Sequence, residues 1–116
     1  MYKRHLESQI KEKFFKGKVI MIVGARQTGK TTLAMQIISE CKEKAKILNG
    51  DNPTDRDFLN NRDFNFLNNL IGDAKVVLID EGQKIQTIGQ TLKILADNFK
   101  EKKQIIVTGS STFNLL

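Results

Sequence analysis

The sequence predicts an α/β protein of three layers, in which a parallel sheet lies between helices. Short apolar runs alternate along the chain with segments whose apolar residues recur at helical spacing. The runs are almost unbroken rather than alternating, which is typical of parallel strands buried on both faces. This alternation implies right-handed crossovers, and sheets of this kind bind their ligands beyond the carboxyl ends of the strands.

The bulk properties favour one small domain, which we expect to span residues 1–116. The hydrophobic fraction is 40%, and no run of about 18 apolar residues predicts a membrane span. A single cysteine, Cys41, excludes an internal disulfide and fits a reducing compartment. The charged N-terminus lacks an apolar signal core. We therefore expect a cytoplasmic protein.

The elements are predicted in order from these patterns. Leu6, Ile10 and Phe14 recur every four residues and predict an N-terminal helix over residues 2–16, before a core of residues 17–116. Strands are predicted over residues 18–23, 45–51, 75–81 and 104–108, and helices after residue 30, around 56–60 and 64–70, and over 87–100. Thr54 or Asp55 is the expected cap after the turn at Pro53.

The first predicted strand leads into a glycine-rich loop with the pattern G-x-x-x-x-G-K-[ST]. It runs Gly24-Ala25-Arg26-Gln27-Thr28-Gly29-Lys30-Thr31. The two glycines allow a tight curl whose backbone N–H groups form an anion site. Lys30 supplies a charge for the β- and γ-phosphates, and the Thr31 hydroxyl is placed to hold Mg²⁺. Since a helix follows, its positive end also faces the phosphates. The loop predicts a nucleotide site.

A second pattern follows the third predicted strand, where four apolar residues precede Asp80-Glu81. This is a Walker B pattern, in which Asp80 would lie in the second coordination sphere of Mg²⁺ or contact the ion through water. Glu81 could polarise a water in line with the γ-phosphate, which favours hydrolysis over transfer to a substrate hydroxyl. An ordinary acidic strand end is the simpler alternative.

Hydroxyl residues end the fourth predicted strand. If that strand lies between the first and the third, Thr108, Ser110 and Ser111 would lie between the loop and Glu81 and could sense the γ-phosphate or orient water. A plain turn would also explain Gly109-Ser110-Ser111. Asp51 could contact the metal site or begin a turn, and the sequence leaves both open.

The formal net charge is +6, and much of it lies in residues 1–18 and in Lys100-Glu101-Lys102-Lys103. Neither segment has a glycine-arginine pattern. One interpretation is solvated surface with a favourable field for a nucleotide, and the other is a surface that faces nucleic acid.

Three segments together resemble the prokaryotic AAA-type ATPases, in which an ATPase domain precedes a C-terminal domain of unknown function. They are residues 24–33, Leu78-Ile79-Asp80-Glu81-Gly82-Gln83-Lys84-Ile85 and Ile106-Val107-Thr108-Gly109-Ser110-Ser111. The resemblance implies a P-loop NTPase core of the additional-strand, catalytic-glutamate type, with strand order 2-3-4-1. It also implies ATP on Gly24, Ala25, Arg26, Gln27, Thr28, Gly29, Lys30, Thr31, Thr32 and Thr108, Mg²⁺ on Thr31 and Asp80, and catalysis by Glu81, Lys30 and Ser110.

The chain departs from the family in two ways. Gly82 stands where members usually have a β-branched residue, which predicts a looser hold on Glu81. Members are also longer, so we expect a truncated core, incomplete at its C-terminus, that turns over slowly. An arginine finger would then come from a second copy in a homo-oligomer or from a C-terminal domain. The alternatives are a small-molecule kinase of the P-loop class and a nucleotide-switched module that binds nucleic acid or protein.

Overall fold

The structure is a computed structural model that describes residues 12–24, 30–60 and 63–110. Residues 25–29 of the glycine-rich loop and most of the predicted N-terminal helix therefore lie outside the described residues. Of Gly24, Lys30, Thr31 and Ser110 the structure describes only the backbone.

Four parallel strands form the sheet in the order β1-β4-β3-β2. They are β1 (Ile20–Gly24), β2 (Ala45–Asn49), β3 (Val76–Asp80) and β4 (Gln104–Ser110). This is the predicted order 2-3-4-1, read from the other edge. The last of these four strands therefore lies between the first and the third.

Helices cover both faces of the sheet, so the three-layer prediction is confirmed. They are α1 (Lys30–Cys41), α2 (Pro53–Leu59), α3 (Phe64–Ile71) and α4 (Ile88–Phe99). On one face, α1 packs Leu33, Ala34, Ile37 and Ile38 against Ile20, Ile22, Val76, Leu78 and Ile106. On the other face, α2, α3 and α4 pack against Leu48, Val77, Ile79, Ile105 and Val107. No helix in the described ranges is both long and apolar enough to cross a membrane.

The centre of the sheet is the most deeply buried part of this core. Each side chain from Val76 to Ile79 has 0% relative exposure, because β3 has a strand on either side and helices on both faces. Burying one such side chain contributes about 1.5–3 kcal/mol. Asp80 follows directly after this run, so a rigid strand fixes its position.

Helix α2 begins earlier than predicted and has a different cap. Pro53 occupies the first turn, where its missing N–H costs nothing. The Asn52 side chain accepts hydrogen bonds from the backbone N–H groups of Thr54 and Asp55. The prediction that Thr54 or Asp55 is the cap was therefore wrong, since the residue before the proline has the extended backbone that a cap requires.

The described end of the predicted N-terminal helix is a turn. Residues 12–15 form this turn, and Phe15 has a left-handed backbone with φ 58°. The buried side chain of Gln104 accepts a hydrogen bond from the Phe15 N–H at 2.7 Å and donates one to the Lys18 carbonyl at 2.9 Å. This pairing fastens the segment before β1 to the start of β4.

Candidate functional site

The carboxyl ends of β1, β4 and β3 lie side by side at one edge of the sheet. Gly24, where the glycine-rich loop begins, pairs with Ser110, and Ile22 pairs with Thr108. On the other side of β4, Ile79 pairs with Val107, so Asp80 lies next to Thr108. Helix α1 begins at Lys30, as the motif predicts. The fold therefore brings the start of the loop, the hydroxyl strand and the acidic pair to one edge.

The Thr108 hydroxyl joins the two acidic residues. Thr108 has 0% relative exposure. Its hydroxyl donates a hydrogen bond to Asp80 Oδ1 and accepts one from the Glu81 N–H at 3.2 Å. One buried group on β4 thus fixes both the carboxylate of Asp80 and the backbone at which the chain leaves β3.

Glu81 has a left-handed backbone, with φ 55° and ψ 48°. Such a conformation costs a non-glycine residue about 1–3 kcal/mol and is found mostly where the surrounding structure enforces it. Its carboxylate oxygen Oε1 accepts a hydrogen bond at 2.7 Å from the side-chain amide of Gln83, which belongs to the 3₁₀ turn Gly82–Lys84. Gly82 is buried. The sequence predicts that this glycine, which replaces a β-branched residue, holds Glu81 less tightly. The described contacts show the Glu81 backbone held by Thr108 and its carboxylate by Gln83.

Gly50, the residue after β2, approaches this turn closely. Its N–H donates to the Asp80 carbonyl at 2.7 Å. A Cβ placed on Gly50 would lie 2.1 Å from the Glu81 carbonyl oxygen and 3.0 Å from the carbonyl carbon, both backbone atoms. The turn at Glu81 therefore requires a glycine at residue 50. The sequence predicts residues 45–51 as one strand and gives Gly50 no role of its own, although a glycine beside a strand often marks the close approach of another backbone.

Two side chains of helix α2 hold the turn at Gly50 by hydrogen bonds to its backbone. Arg56 Nη1 donates to the Gly50 carbonyl at 2.9 Å, and the Asp55 carboxylate accepts from the Asn49 N–H at 3.0 Å. Because both side chains come from the first turns of one helix, the register of α2 sets the position of Gly50. Neither residue carried a signal for this role in the sequence.

Asp51 lies in the same turn. Its N–H donates to the Asn49 side chain at 2.9 Å, and its carboxylate is 3.9 Å from Lys84 Nζ, with both side chains about half exposed. The turn alternative for Asp51 therefore describes what the structure contains. An exposed pair at this distance contributes little to stability.

The geometry can be compared with known families. Residues 16–116, most of the chain, match the sequence model of the family described as the AAA domain. The parallel four-stranded sheet with helices on both faces is consistent with such a domain. A search of curated proteins finds no match.

Proposed function

Because the chain belongs to the AAA domain family, whose function is nucleotide-binding and ATPase-like, we propose that it binds ATP with Mg²⁺ and, in its full-length context, hydrolyses it. One observation carries the proposal. The Thr108 hydroxyl holds Asp80 and the Glu81 backbone at the same sheet edge where β1 passes into the glycine-rich loop.

In this proposal, the loop Gly24–Thr31 and the adjacent Thr32 hold the phosphates of ATP. The loop amides and the Lys30 ammonium would bind the β- and γ-phosphates, and the start of α1 adds its positive dipole end. Ser110 pairs with Gly24 across the two strands, so its backbone lies beside the start of the loop. That placement supports Ser110 as the sensor of the γ-phosphate.

Mg²⁺ suits the donors that the chain offers. Asp80 and Thr31 would supply oxygen ligands, which this hard cation prefers, and the remaining positions would go to phosphate oxygens and water. The ion would neutralise charge on the phosphates. Thr108 orients Asp80 by donating to Oδ1, and this is the role we propose for it beside the nucleotide.

Glu81 is the proposed general base. It lies directly after Asp80, outside the buried run of β3, and is partly exposed. A carboxylate that positions and deprotonates the attacking water accelerates a reaction by about 10²–10⁴-fold. Gln83 would set the orientation of this carboxylate by its hydrogen bond to Oε1.

The proposed partners are ATP or ADP and a source of arginine. A second copy of the chain or a C-terminal domain would supply an arginine finger, which is worth about 10³–10⁵-fold in rate. The chain by itself is therefore expected to bind nucleotide more readily than it hydrolyses it.

Two variants separate binding from hydrolysis. Lys30→Ala should weaken the binding of a fluorescent ATP analogue at least tenfold, whereas Lys46→Ala, on β2, is the control and should leave it unchanged. Glu81→Gln in the full-length protein should keep nucleotide affinity and lose at least 100-fold in phosphate release. Unchanged affinity of Lys30→Ala would refute the binding site, and unchanged turnover of Glu81→Gln would refute the base.

The same assay distinguishes hydrolysis from phosphoryl transfer. With γ-labelled ATP and a panel of metabolites, the label should appear as inorganic phosphate whether or not the panel is present. A labelled metabolite would instead identify a small-molecule kinase and overturn the assignment of Glu81.

A further inference from the structure

The edge of the sheet opposite the candidate site is rich in lysine. We define the lysine edge as the four residues that precede each strand, namely residues 16–19, 41–44, 72–75 and 100–103. These sixteen residues include eight lysines and three carboxylates. In the sequence the lysines fall into separate segments, and only the parallel sheet brings all four segments to one edge.

The strand register places these lysines in a row. Ala45 pairs with Val76, and Val76 with Gln104, so the preceding residues Lys44, Lys75 and Lys103 lie at one level. On the far side, the Gln104 side chain bonds the carbonyl of Lys18. Because neighbouring strands are about 4.8 Å apart, the row across four strands is about 14 Å long.

Among the contacts between described residues, structural roles account for two of the eight lysines. Lys103 donates to the carbonyls of Gly72 and Ala74 and lies over the Phe99 ring, and Lys44 is 2.7 Å from Asp73. Within the described ranges, the other six make no ion pair within 4.0 Å, and all six are exposed: Lys16, Lys18, Lys42, Lys75, Lys100 and Lys102.

Helix dipoles explain some of these charges but not the row. Lys42 and Lys100 follow the C-termini of α1 and α4, where a cation is favoured. Lys18 and Lys75 precede strands and have no helix C-terminus beside them in the chain. Within the row, the pKa of Lys103 is lowered first by burial and then by the positive charge of Lys75. Such crowding of like charges is unfavourable until an anion neutralises it.

We propose that the lysine edge binds the phosphate backbone of a nucleic-acid duplex, without reading its base sequence. A row about 14 Å long matches about four phosphates of one strand, which follow one another at about 3.4 Å along the axis. Lysine acts on a phosphate as a point charge and needs no fixed geometry.

The composition of the edge favours a duplex over other polyanions. The large exposed hydrophobic residues in the described chain are Met21, Val23, Met35 and Ile47, and none belongs to the lysine edge. A peripheral membrane surface would combine its basic residues with apolar ones. Single-stranded nucleic acid would require exposed aromatic rings for stacking. None of the sixteen residues is aromatic, and the neighbouring Phe14, Phe15 and Phe99 pack against the core.

The test is a titration of a fluorescent duplex of about 20 base pairs with the 116-residue chain at several salt concentrations, read by anisotropy. Binding should not depend on the base sequence of the duplex, and the logarithm of the association constant should fall linearly with the logarithm of the salt concentration. Lys18→Gln, Lys75→Gln and Lys102→Gln together should reduce that slope by about 3, one unit for each lost phosphate contact.

A matched triple variant separates position from net charge. Lys46→Gln, Lys84→Gln and Lys93→Gln remove the same charge from β2, the carboxyl edge and the middle of α4, and should change duplex affinity less than twofold. Conversely, Glu43→Gln with Glu101→Gln should strengthen binding, since two carboxylates leave the lysine edge.

Three outcomes would overturn the proposal. The first is the absence of binding at low salt, and the second is equal loss in the two triple variants. The third is competition by polyglutamate, or by vesicles containing phosphatidylserine, as effective as that of unlabelled duplex at equal charge. Melting temperatures of all variants should lie within a few degrees of the parent chain, because every substituted side chain lies at the surface or is only partly buried.

Discussion

Replacing Gly50 by alanine adds one carbon at a place where two backbone segments already touch. The new Cβ would lie 2.1 Å from the Glu81 carbonyl oxygen and 3.2 Å from that of Asp80. Contacts of a real Cβ do not fall below 3.0 Å, so the β2 and β3 ends must separate by about 1 Å. The obstructing atoms belong to the backbone, which cannot swing aside as a flexible side chain would.

The cost follows from what the separation breaks. The hydrogen bond of 2.7 Å from the Gly50 N–H to the Asp80 carbonyl would be lost or lengthened, at about 0.5–1.5 kcal/mol. Overpacking at a well-packed contact adds about 1–3 kcal/mol. We therefore expect Gly50→Ala to lower the free energy of unfolding by about 2–4 kcal/mol, which leaves a typical domain folded.

Urea denaturation measures this loss, and amide hydrogen exchange locates it. The amides of residue 50 and Glu81 should lose more protection than the global destabilisation accounts for. Gly72→Ala is the matched control: Gly72 has φ 65°, and a Cβ placed on it would meet no atom within 4 Å. The control should lose about 1–3 kcal/mol through backbone strain alone, with no selective effect at Glu81. A Gly50→Ala chain within about 0.5 kcal/mol of the parent, on the scale of ordinary surface substitutions, would refute the close approach.

Three further substitutions test other contacts. Thr108→Val keeps the shape of the side chain but removes its hydrogen bonds to Asp80 and the Glu81 N–H, so it should lower the free energy of unfolding by about 1–3 kcal/mol and weaken Mg²⁺-dependent nucleotide binding. The control Thr91→Val loses a hydrogen bond to the Leu59 carbonyl and should match the loss of stability only. Equal nucleotide binding by the two variants would contradict the role of Thr108. Gln104→Leu removes the hydrogen-bond partner of the Phe15 N–H and of the Lys18 carbonyl, so the Phe15 amide should exchange faster than in the parent chain. Unchanged protection would show that the Gln104 hydrogen bonds are not needed to hold the segment before β1. Lys44 lowers the pKa of Asp73 below its ordinary value of 3.8, so their pairing stabilises the fold above that pH and the stabilisation is lost as the pH falls through the lowered pKa. The urea midpoints of the parent chain and Asp73→Asn should therefore converge in acid. A difference between the two midpoints that stays constant down to low pH would show that the ion pair does not cause it.

The strands and their order could be predicted because their signals are local and strong. The run at Val76–Ile79 is apolar throughout, and such a run is buried on both faces in the structure. The order 2-3-4-1 came from the resemblance rather than from any run, since no single strand specifies its neighbours. The cap at Asn52 was missed because Thr54 and Asp55 have the same capping chemistry as asparagine.

The candidate site was predictable only in part. The glycine-rich loop and Asp80-Glu81 follow known patterns, whose residues are consecutive in the chain. Neither Gly50 nor Gln83 receives a role from such a pattern, although Gln83 lies in the segment of residues 78–85 that resembles the family. Gly50 matters through an approach to Glu81, a residue 31 positions away, and Gln83 through the direction of its side chain after a left-handed residue. Spacing along the chain encodes neither.

The central position of β4 affects how the protein folds during its synthesis. Strand β4 is the last of the four to leave the ribosome, yet it separates β1 from β3 in the finished sheet. Ile20 of β1 can pair with Ile106 of β4 only after β4 has been synthesised. Because this contact joins residues far apart in the sequence, it slows folding. Until residues 104–110 emerge, β1 and β3 each carry an unpaired apolar edge open to association with other chains. A chain whose synthesis halted before this strand would keep both of these edges unpaired and would be prone to aggregation.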